Sequence, residues 1–245
     1  MIMTHAMNLT RPQISLIPIV LLFLVLFQPV ILSLIKAWID RPDASHGWVV
    51  VAVSSWLLWL RRASLIIEEN SPSQFGLITF LISLLFSVGA IALDLESVSR
   101  FAMVCTLNSL LYYLWGWKKY TCAAFPLMFL ILMIPIPISI TGVISFPLQI
   151  FSTVLSEFFV RLSGITVHRQ GNILLLPGGE LEVAEACSGL RSLMTFVTIG
   201  ALFAWSTGIF WKKILIALLS IPFALVANIA RIVLTAILVV WLGPQ

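Results

Sequence analysis

Residues 14–35 read ISLIPIVLLFLVLFQPVILSLI and carry no charged side chain. A helix of about 22 residues is roughly 33 Å long, enough to cross a hydrocarbon core about 30 Å thick. The run is also longer than the apolar core of a cleavable signal peptide, which is about 7–15 residues. It therefore predicts a membrane span and not a removable targeting segment.

The composition of the whole chain supports the same interpretation. Hydrophobic residues make up 60% of the 245 positions, and charged residues only 10%. Soluble domains carry about a quarter charged residues, so a soluble fold is excluded. The net charge of +4 does not indicate nucleic-acid binding, because the basic residues stand in short clusters between apolar runs.

Further apolar runs follow the first, and together they predict an all-α integral membrane protein. We expect one domain over residues 1–245, built as a polytopic bundle of about seven or eight transmembrane helices. The count is open because the last run forms either one bent helix or two short spans. The predicted spans after the first are 47–60, 75–93, 98–116, 121–140, 187–205 and 214–242.

Three stretches depart from this pattern. Pro135 and Pro137 predict a kinked or unwound end to the fifth span. Residues 143–163 are apolar but contain polar and charged side chains, which predicts a helix in the membrane interface or one that is partly buried. Residues 165–184 predict a β-hairpin of two short strands about Pro177-Gly178-Gly179, placed at the membrane surface because its edges cannot lie in lipid.

Charge placement predicts the orientation. Eight of the ten acidic residues fall on one face of the membrane, and seven of the 14 basic residues on the other. The positive-inside rule makes the basic face cytoplasmic and places the hairpin outside. Those basic residues are Arg11, Arg61, Arg62, Lys118, Lys119, Lys212 and Lys213.

Cys187 is the first candidate for chemistry. It stands where a helix is predicted to begin, and the free N–H groups and positive dipole of a helix start stabilise a thiolate. A thiolate is the form of cysteine that acts as a nucleophile. The alternative is a small apolar side chain that only packs, which is our interpretation of Cys105 and Cys122.

Asn228 and Arg231 are the second candidate. Their spacing of i and i+3 places an amide and a guanidinium on one helix face. Arg231 lies 18 residues after Lys213, or about 27 Å along a helix, so we expect it at the outer side near Cys187. Arginine in a span usually faces a polar cavity or partner. We therefore predict that Arg231 stabilises the carbonyl of a substrate. The alternative is an interfacial arginine whose side chain snorkels to the membrane surface.

The remaining polar residues give weaker signals. Arg191 stands one helical turn after Cys187 and could face the same cavity, or pair with Glu185 or an acidic lipid group. His46, in Ser45-His46-Gly47, is a possible base or substrate contact, or else a solvated loop residue. No metal-ligand spacing, phosphate loop or serine-nucleophile elbow occurs, so no metal or cofactor is expected.

Taken together, these segments resemble the exosortase/archaeosortase family of membrane cysteine transpeptidases. The resemblance extends over roughly residues 40 to 243. It rests on Ser45-His46-Gly47, Phe129 to Pro137, Gly171-Asn172, Leu181-Glu182-Val183, Glu185-Ala186-Cys187-Ser188-Gly189-Leu190-Arg191-Ser192, and Asn228-Ile229-Ala230-Arg231 after Ser220-Ile221-Pro222.

The resemblance implies a multi-pass protein of the inner (plasma) membrane with its active site on the extracytoplasmic side. Cys187 would cleave the C-terminal sorting signals of exported proteins, which carry a Pro-Glu-Pro motif, a transmembrane helix and a basic tail (PEP-CTERM signals). An acyl-thioester would form and pass to a glycan or lipid-linked envelope acceptor. Arg231 would act as proton donor or carbonyl stabiliser. Possible supporting residues are Asn228, Ser188, Gly189, Arg191 and His46.

One element of the family pattern is missing. The family's third catalytic residue, a histidine or arginine, lies beyond the N-x-x-R helix, and this chain ends 14 residues after Arg231 without one. We expect either a truncated sequence or a substitute, with His46 and His168 as candidates. Rival hypotheses are a transporter or channel subunit and a non-catalytic, degenerate exosortase scaffold. The sequence predicts no oligomeric state.

Overall fold

The computed structural model of the chain describes residues 16–177, 179–183 and 189–242. These residues form eight α-helices, one 3-10 helix and three short strands. The helices are α1 (Leu16–Asp40), α2 (Gly47–Leu60), α3 (Arg62–Ile67), α4 (Gln74–Ala92), α5 (Glu96–Phe129), the 3-10 helix Leu130–Met133, α6 (Ile138–Leu162), α7 (Leu190–Ser206) and α8 (Phe210–Leu242).

Four of the described helices are long and apolar enough to cross a membrane: Pro18–Asp40 of α1, then α4, α6 and α8. Two further apolar helices, α2 and α7, have 14 and 17 residues and are shorter than the roughly 20 residues of a typical span. The protein is therefore a helical membrane protein, but seven or eight spans are not confirmed. The last apolar run is one helix, α8, despite Pro222.

A bend within α5 explains why two predicted spans appear as one element. Gly116 has φ +76° and ψ 173°, which is not helical, so α5 consists of two arms that meet at this residue. The second arm passes into the 3-10 helix, and residues 134–137 are not helical. The prediction that Pro135 and Pro137 unwind this end is confirmed.

We expect Gly116→Ala to destabilise the protein. A Cβ at this position would lie 2.2 Å from the backbone oxygen of Ser71, and a backbone with positive φ and extended ψ, adopted almost only by glycine, costs another residue about 1–3 kcal/mol. The measurement is thermal unfolding in detergent. Gly89→Ala in α4 is the matched control, since its Cβ would meet nothing within 4 Å. Equal unfolding midpoints for the two variants would contradict the prediction.

The predicted hairpin is a three-stranded antiparallel sheet, so the prediction of two strands was wrong. Strand β1 (His168–Gln170) pairs with β2 (Ile173–Leu176), and β2 pairs with β3 (Gly179–Glu182). The turn before Gly179 agrees with the prediction, since Leu176 pairs with Gly179. Gly171-Asn172 adds a second turn, because two residues suffice to reverse a strand, and this divides the first predicted strand.

Apolar clusters hold the helices and the sheet together. One joins α1, α2, α5 and the 3-10 helix around Phe27, Trp38 and Phe129. Another joins the end of α6, the sheet and α8, where Val160, Leu174 and Ile232 are buried. Trp205 of α7 stacks on Phe125 of α5 with ring centroids 4.7 Å apart, which links the N-terminal helices to α7 and α8.

Candidate functional site

The centre of the site is Asn228 on α8, whose side chain is fully buried. One turn later, Arg231 donates a hydrogen bond from Nη2 to Asn228 Oδ1 at 2.8 Å. The predicted i, i+3 pair is thus in direct contact. Lys213 and Arg231 belong to the same unbroken helix, which supports the spacing of about 27 Å between them.

The third member of this hydrogen-bond chain is Ser152 of α6. Asn228 donates from Nδ2 to Ser152 Oγ at 3.1 Å, and Ser152 is also fully buried. A guanidinium has only donors, so Arg231 requires the amide oxygen of Asn228 and leaves the amide nitrogen for Ser152. Ser152 therefore fixes the orientation of Asn228, which in turn holds one nitrogen of Arg231.

Ser152 was not predicted from the sequence, although α6 contains a signal for it. Four polar residues of this apolar helix recur at steps of four, three and four, which keeps them on one helix face. That polar face is the buried one, while large apolar side chains such as Phe146 and Phe158 face outward. The stretch predicted as interfacial or partly buried is thus a helix with its polar side turned into the protein. The polar face comprises Ser145, Gln149, Ser152 and Ser156.

Gly189 brings the start of α7 against the same amide. It caps the helix with φ +87°, and a Cβ there would lie 3.1 Å from Asn228 Nδ2. A side chain would be strained in the left-handed conformation and crowded by Asn228. The close approach of α7 and α8 therefore depends on glycine at this position.

Cys187 and Ser188 lie outside the described residues, as do their neighbours 184–186. In the sequence, Cys187 precedes Gly189 by two positions. Gly189 lies so close to Asn228 that an added Cβ would stand 3.1 Å from its Nδ2. The candidate nucleophile therefore stands two positions before a described residue that packs beside Asn228.

The last described residue before this segment is also held in place. The Val183 carbonyl accepts hydrogen bonds from Gln149 Nε2 of α6 and, at 3.4 Å, from Asn172 Nδ2. The Val183 N–H donates to the Asn172 carbonyl at 2.9 Å. Val183 and Gly189, on either side of residues 184–188, are thus both anchored beside the buried polar face of α6.

A cavity of about 250 Å³ opens between the sheet, α7 and α8. Arg191 and Arg231 both line it, so the structure brings together two of the predicted site residues from different helices. The other described residues that line the cavity belong to β3, to the position after it and to α8: Leu181, Glu182, Val183, Ile232 and Thr235.

The two candidate histidines occupy other places. His46 lies between α1 and α2, and its ring nitrogens contact the carbonyls of Asp43 and Leu132, each at 3.0 Å. Trp38 Nε1 donates to the Met133 carbonyl at 2.9 Å beside it. These contacts attach the α1–α2 loop to the proline-bearing segment. His168 begins β1 and is exposed, and a catalytic role for either histidine stays a prediction.

Comparison with known proteins identifies the family. A family model described as transmembrane exosortase (Exosortase_EpsH) matches residues 38–245. The chain belongs to this family. The match includes every candidate residue of the exosortase site, from His46 to Arg231. No curated protein and no solved structure matches the chain.

Within residues 16–177, 179–183 and 189–242, no three His, Cys, Asp or Glu side chains lie close enough to hold an ion. What the site offers is a fixed guanidinium, a buried amide and a short segment that carries a cysteine. These groups suit acyl transfer, in which a nucleophile attacks a carbonyl and a donor stabilises the resulting oxyanion.

Proposed function

We propose that this exosortase is a membrane cysteine protease and transpeptidase that cleaves C-terminal sorting signals of the PEP-CTERM type and transfers the exported protein to an envelope acceptor. The observation that carries the proposal is the chain of hydrogen bonds from Ser152 through Asn228 to Arg231. It fixes a guanidinium next to the helix start that follows Cys187. The family assignment supports the class of reaction.

In the proposed reaction, the Cys187 thiolate attacks the carbonyl carbon of a peptide bond in the sorting signal. The C–N bond breaks, the leaving amine takes up a proton from water, and the exported protein remains as an acyl-thioester on Cys187. A hydroxyl or amine of a glycan or lipid-linked acceptor then attacks the thioester and loses its proton to water, and the Cys187 thiolate leaves. No oxidant, reductant or metal is needed.

Arg231 is proposed to stabilise the oxyanion of both addition steps. A guanidinium does not lose its proton in proteins. Arg231 is therefore proposed to act by electrostatic stabilisation and not by donating a proton. One of its nitrogens is held by Asn228, and a preorganised donor requires little rearrangement when charge develops. The predicted outer position of Arg231 places the reaction on the extracytoplasmic side of the plasma membrane, where exported proteins arrive.

The experiment is co-expression of the exosortase with a tagged reporter that ends in a Pro-Glu-Pro motif, a transmembrane helix and a basic tail. We expect the wild-type chain to convert the membrane-anchored reporter to a shorter, acceptor-linked form. A reporter that stays full length beside a stable, membrane-inserted exosortase would contradict the proposal. Substrate flux through the membrane without processing would instead support the transporter alternative.

We expect Ser152→Ala to slow processing by about 5- to 30-fold, because the loss of a buried hydrogen-bond partner costs about 1–2 kcal/mol. The loss should appear in kcat more than in KM, since Ser152 orients Arg231 through Asn228. Ser152→Thr keeps the hydroxyl and should restore much of the rate. Ser145→Ala, on the same buried face of α6, is the control. Equal rates for Ser152→Ala and Ser145→Ala would contradict this role.

A further inference from the structure

Arg191 differs from the other arginines that the structure describes. Seven of the eight described arginines donate a hydrogen bond to a protein oxygen. No described residue accepts one from the Arg191 guanidinium, and its Nε is buried. The seven are Arg41, Arg61, Arg62, Arg100, Arg161, Arg169 and Arg231.

The charges around the cavity favour an anion. Arg191 and Arg231 supply two positive groups, whereas Glu182 is the one acidic residue among the described residues that line the cavity. The ion pairs within 4.0 Å that join described residues do not include Arg191 or Glu182. A buried donor without an acceptor is unfavourable, and a guanidinium matches a carboxylate with two parallel hydrogen bonds.

The size and the wall of the cavity favour a peptide side chain. Its volume of about 250 Å³ is below the roughly 300–1,000 Å³ of sites for whole small ligands. Leu181 and Glu182 belong to β3, which stands at the edge of the described sheet. An extended peptide can lie along a strand edge and send alternate side chains into neighbouring pockets.

We propose that this cavity binds the carboxylate of an acidic side chain in the substrate peptide, and that Arg191 is the residue that holds it. The proposal rests on the proposed function, because it treats the cavity as part of the substrate site. Arg231, held by Asn228, stabilises the reacting carbonyl, while Arg191 binds the acidic side chain of the sorting signal. The two arginines thus have separate tasks within one cavity.

The test measures binding and does not require turnover. The full chain with Cys187→Ala is titrated in detergent with two fluorescent signal peptides, one with Pro-Glu-Pro and one with Pro-Gln-Pro. We expect the glutamate peptide to bind about 10- to 100-fold more tightly, the range for hydrogen bonds to charged groups. Arg191→Gln in the same background should abolish that preference and leave the affinity for the glutamine peptide unchanged.

Arg169→Gln is the matched control, because Arg169 lies in the sheet and bonds to Glu157; it should keep the preference. Equal affinity for the two peptides, or a preference that survives Arg191→Gln, would overturn the inference. Two competitors are then added to the bound glutamate peptide: phosphatidylglycerol and an excess of unlabelled glutamate peptide. If only phosphatidylglycerol displaces the labelled peptide, the cavity binds a lipid phosphate, and this result also overturns the inference. If the peptides bind as expected but the wild-type chain cleaves no reporter, the proposed function fails while the carboxylate site stands.

Discussion

Replacing Cys187 with alanine is expected to abolish reporter processing, with a loss of at least about 10³-fold in rate. In covalent catalysis the nucleophile makes the bond that defines the intermediate, so removing it leaves no acyl-enzyme path. The measurement is the fraction of reporter converted over time, together with hydroxylamine release of the acyl-thioester from the wild-type protein. The variant should yield neither product nor thioester.

The chain supplies two cysteines as controls. Cys105 and Cys122 lie in α5 and are free thiols, and we expect their alanine variants to process the reporter at the wild-type rate. Both controls and the Cys187 variant must accumulate in the membrane to similar levels. Product formation by Cys187→Ala would refute the proposed mechanism. Loss of the thioester in Cys105→Ala would instead identify Cys105, in α5, as the nucleophile.

Arg231→Ala is expected to reduce processing by about 10²- to 10³-fold, the usual effect of removing a preorganised oxyanion donor. The loss should fall on kcat, because the guanidinium acts on the transition state and the peptide still reaches the cavity. Arg231→Lys keeps the charge but cannot present a planar fork to both Asn228 and a carbonyl. We therefore expect it to recover only a small part of the rate.

A stability measurement must accompany these variants, since Arg231 bonds to the fully buried Asn228. Thermal unfolding in detergent separates a loss of fold from a loss of chemistry. Arg62→Ala at the start of α3, where Arg62 bonds to the Trp59 carbonyl, should keep normal activity. Wild-type turnover by a well-folded Arg231→Ala protein would remove Arg231 from the proposed mechanism.

Sequence alone predicted the parts of this protein that depend on local pattern. The bounds of α2 agree with the predicted span, because an apolar run between Gly47 and Arg61 begins and ends clearly. The Asn228–Arg231 contact followed from helical spacing. Both features need only the period of a helix and the distribution of charge along it.

The features that sequence did not predict depend on which elements meet. Ser152 is one of several polar residues in α6, and only the packing of α6 against α8 makes it the partner of Asn228. The two arms of α5 were predicted as separate spans because hydropathy does not distinguish a bend at Gly116 from a loop. Two strands were predicted because β1, residues 168–170, is polar and exposed, so no alternation of apolar residues marks it as a separate strand.

The inverted polarity of α6 has a consequence for how the protein is made. Its buried serines and Gln149 face protein in the finished fold, but Asn228 lies 76 residues after Ser152 and is synthesised later. When α6 leaves the ribosome, its polar side has no partner from α8, and polar groups are poorly tolerated in lipid. We therefore expect α6 to wait in the translocation machinery or at the membrane surface, and to take its place only after α8 has been inserted.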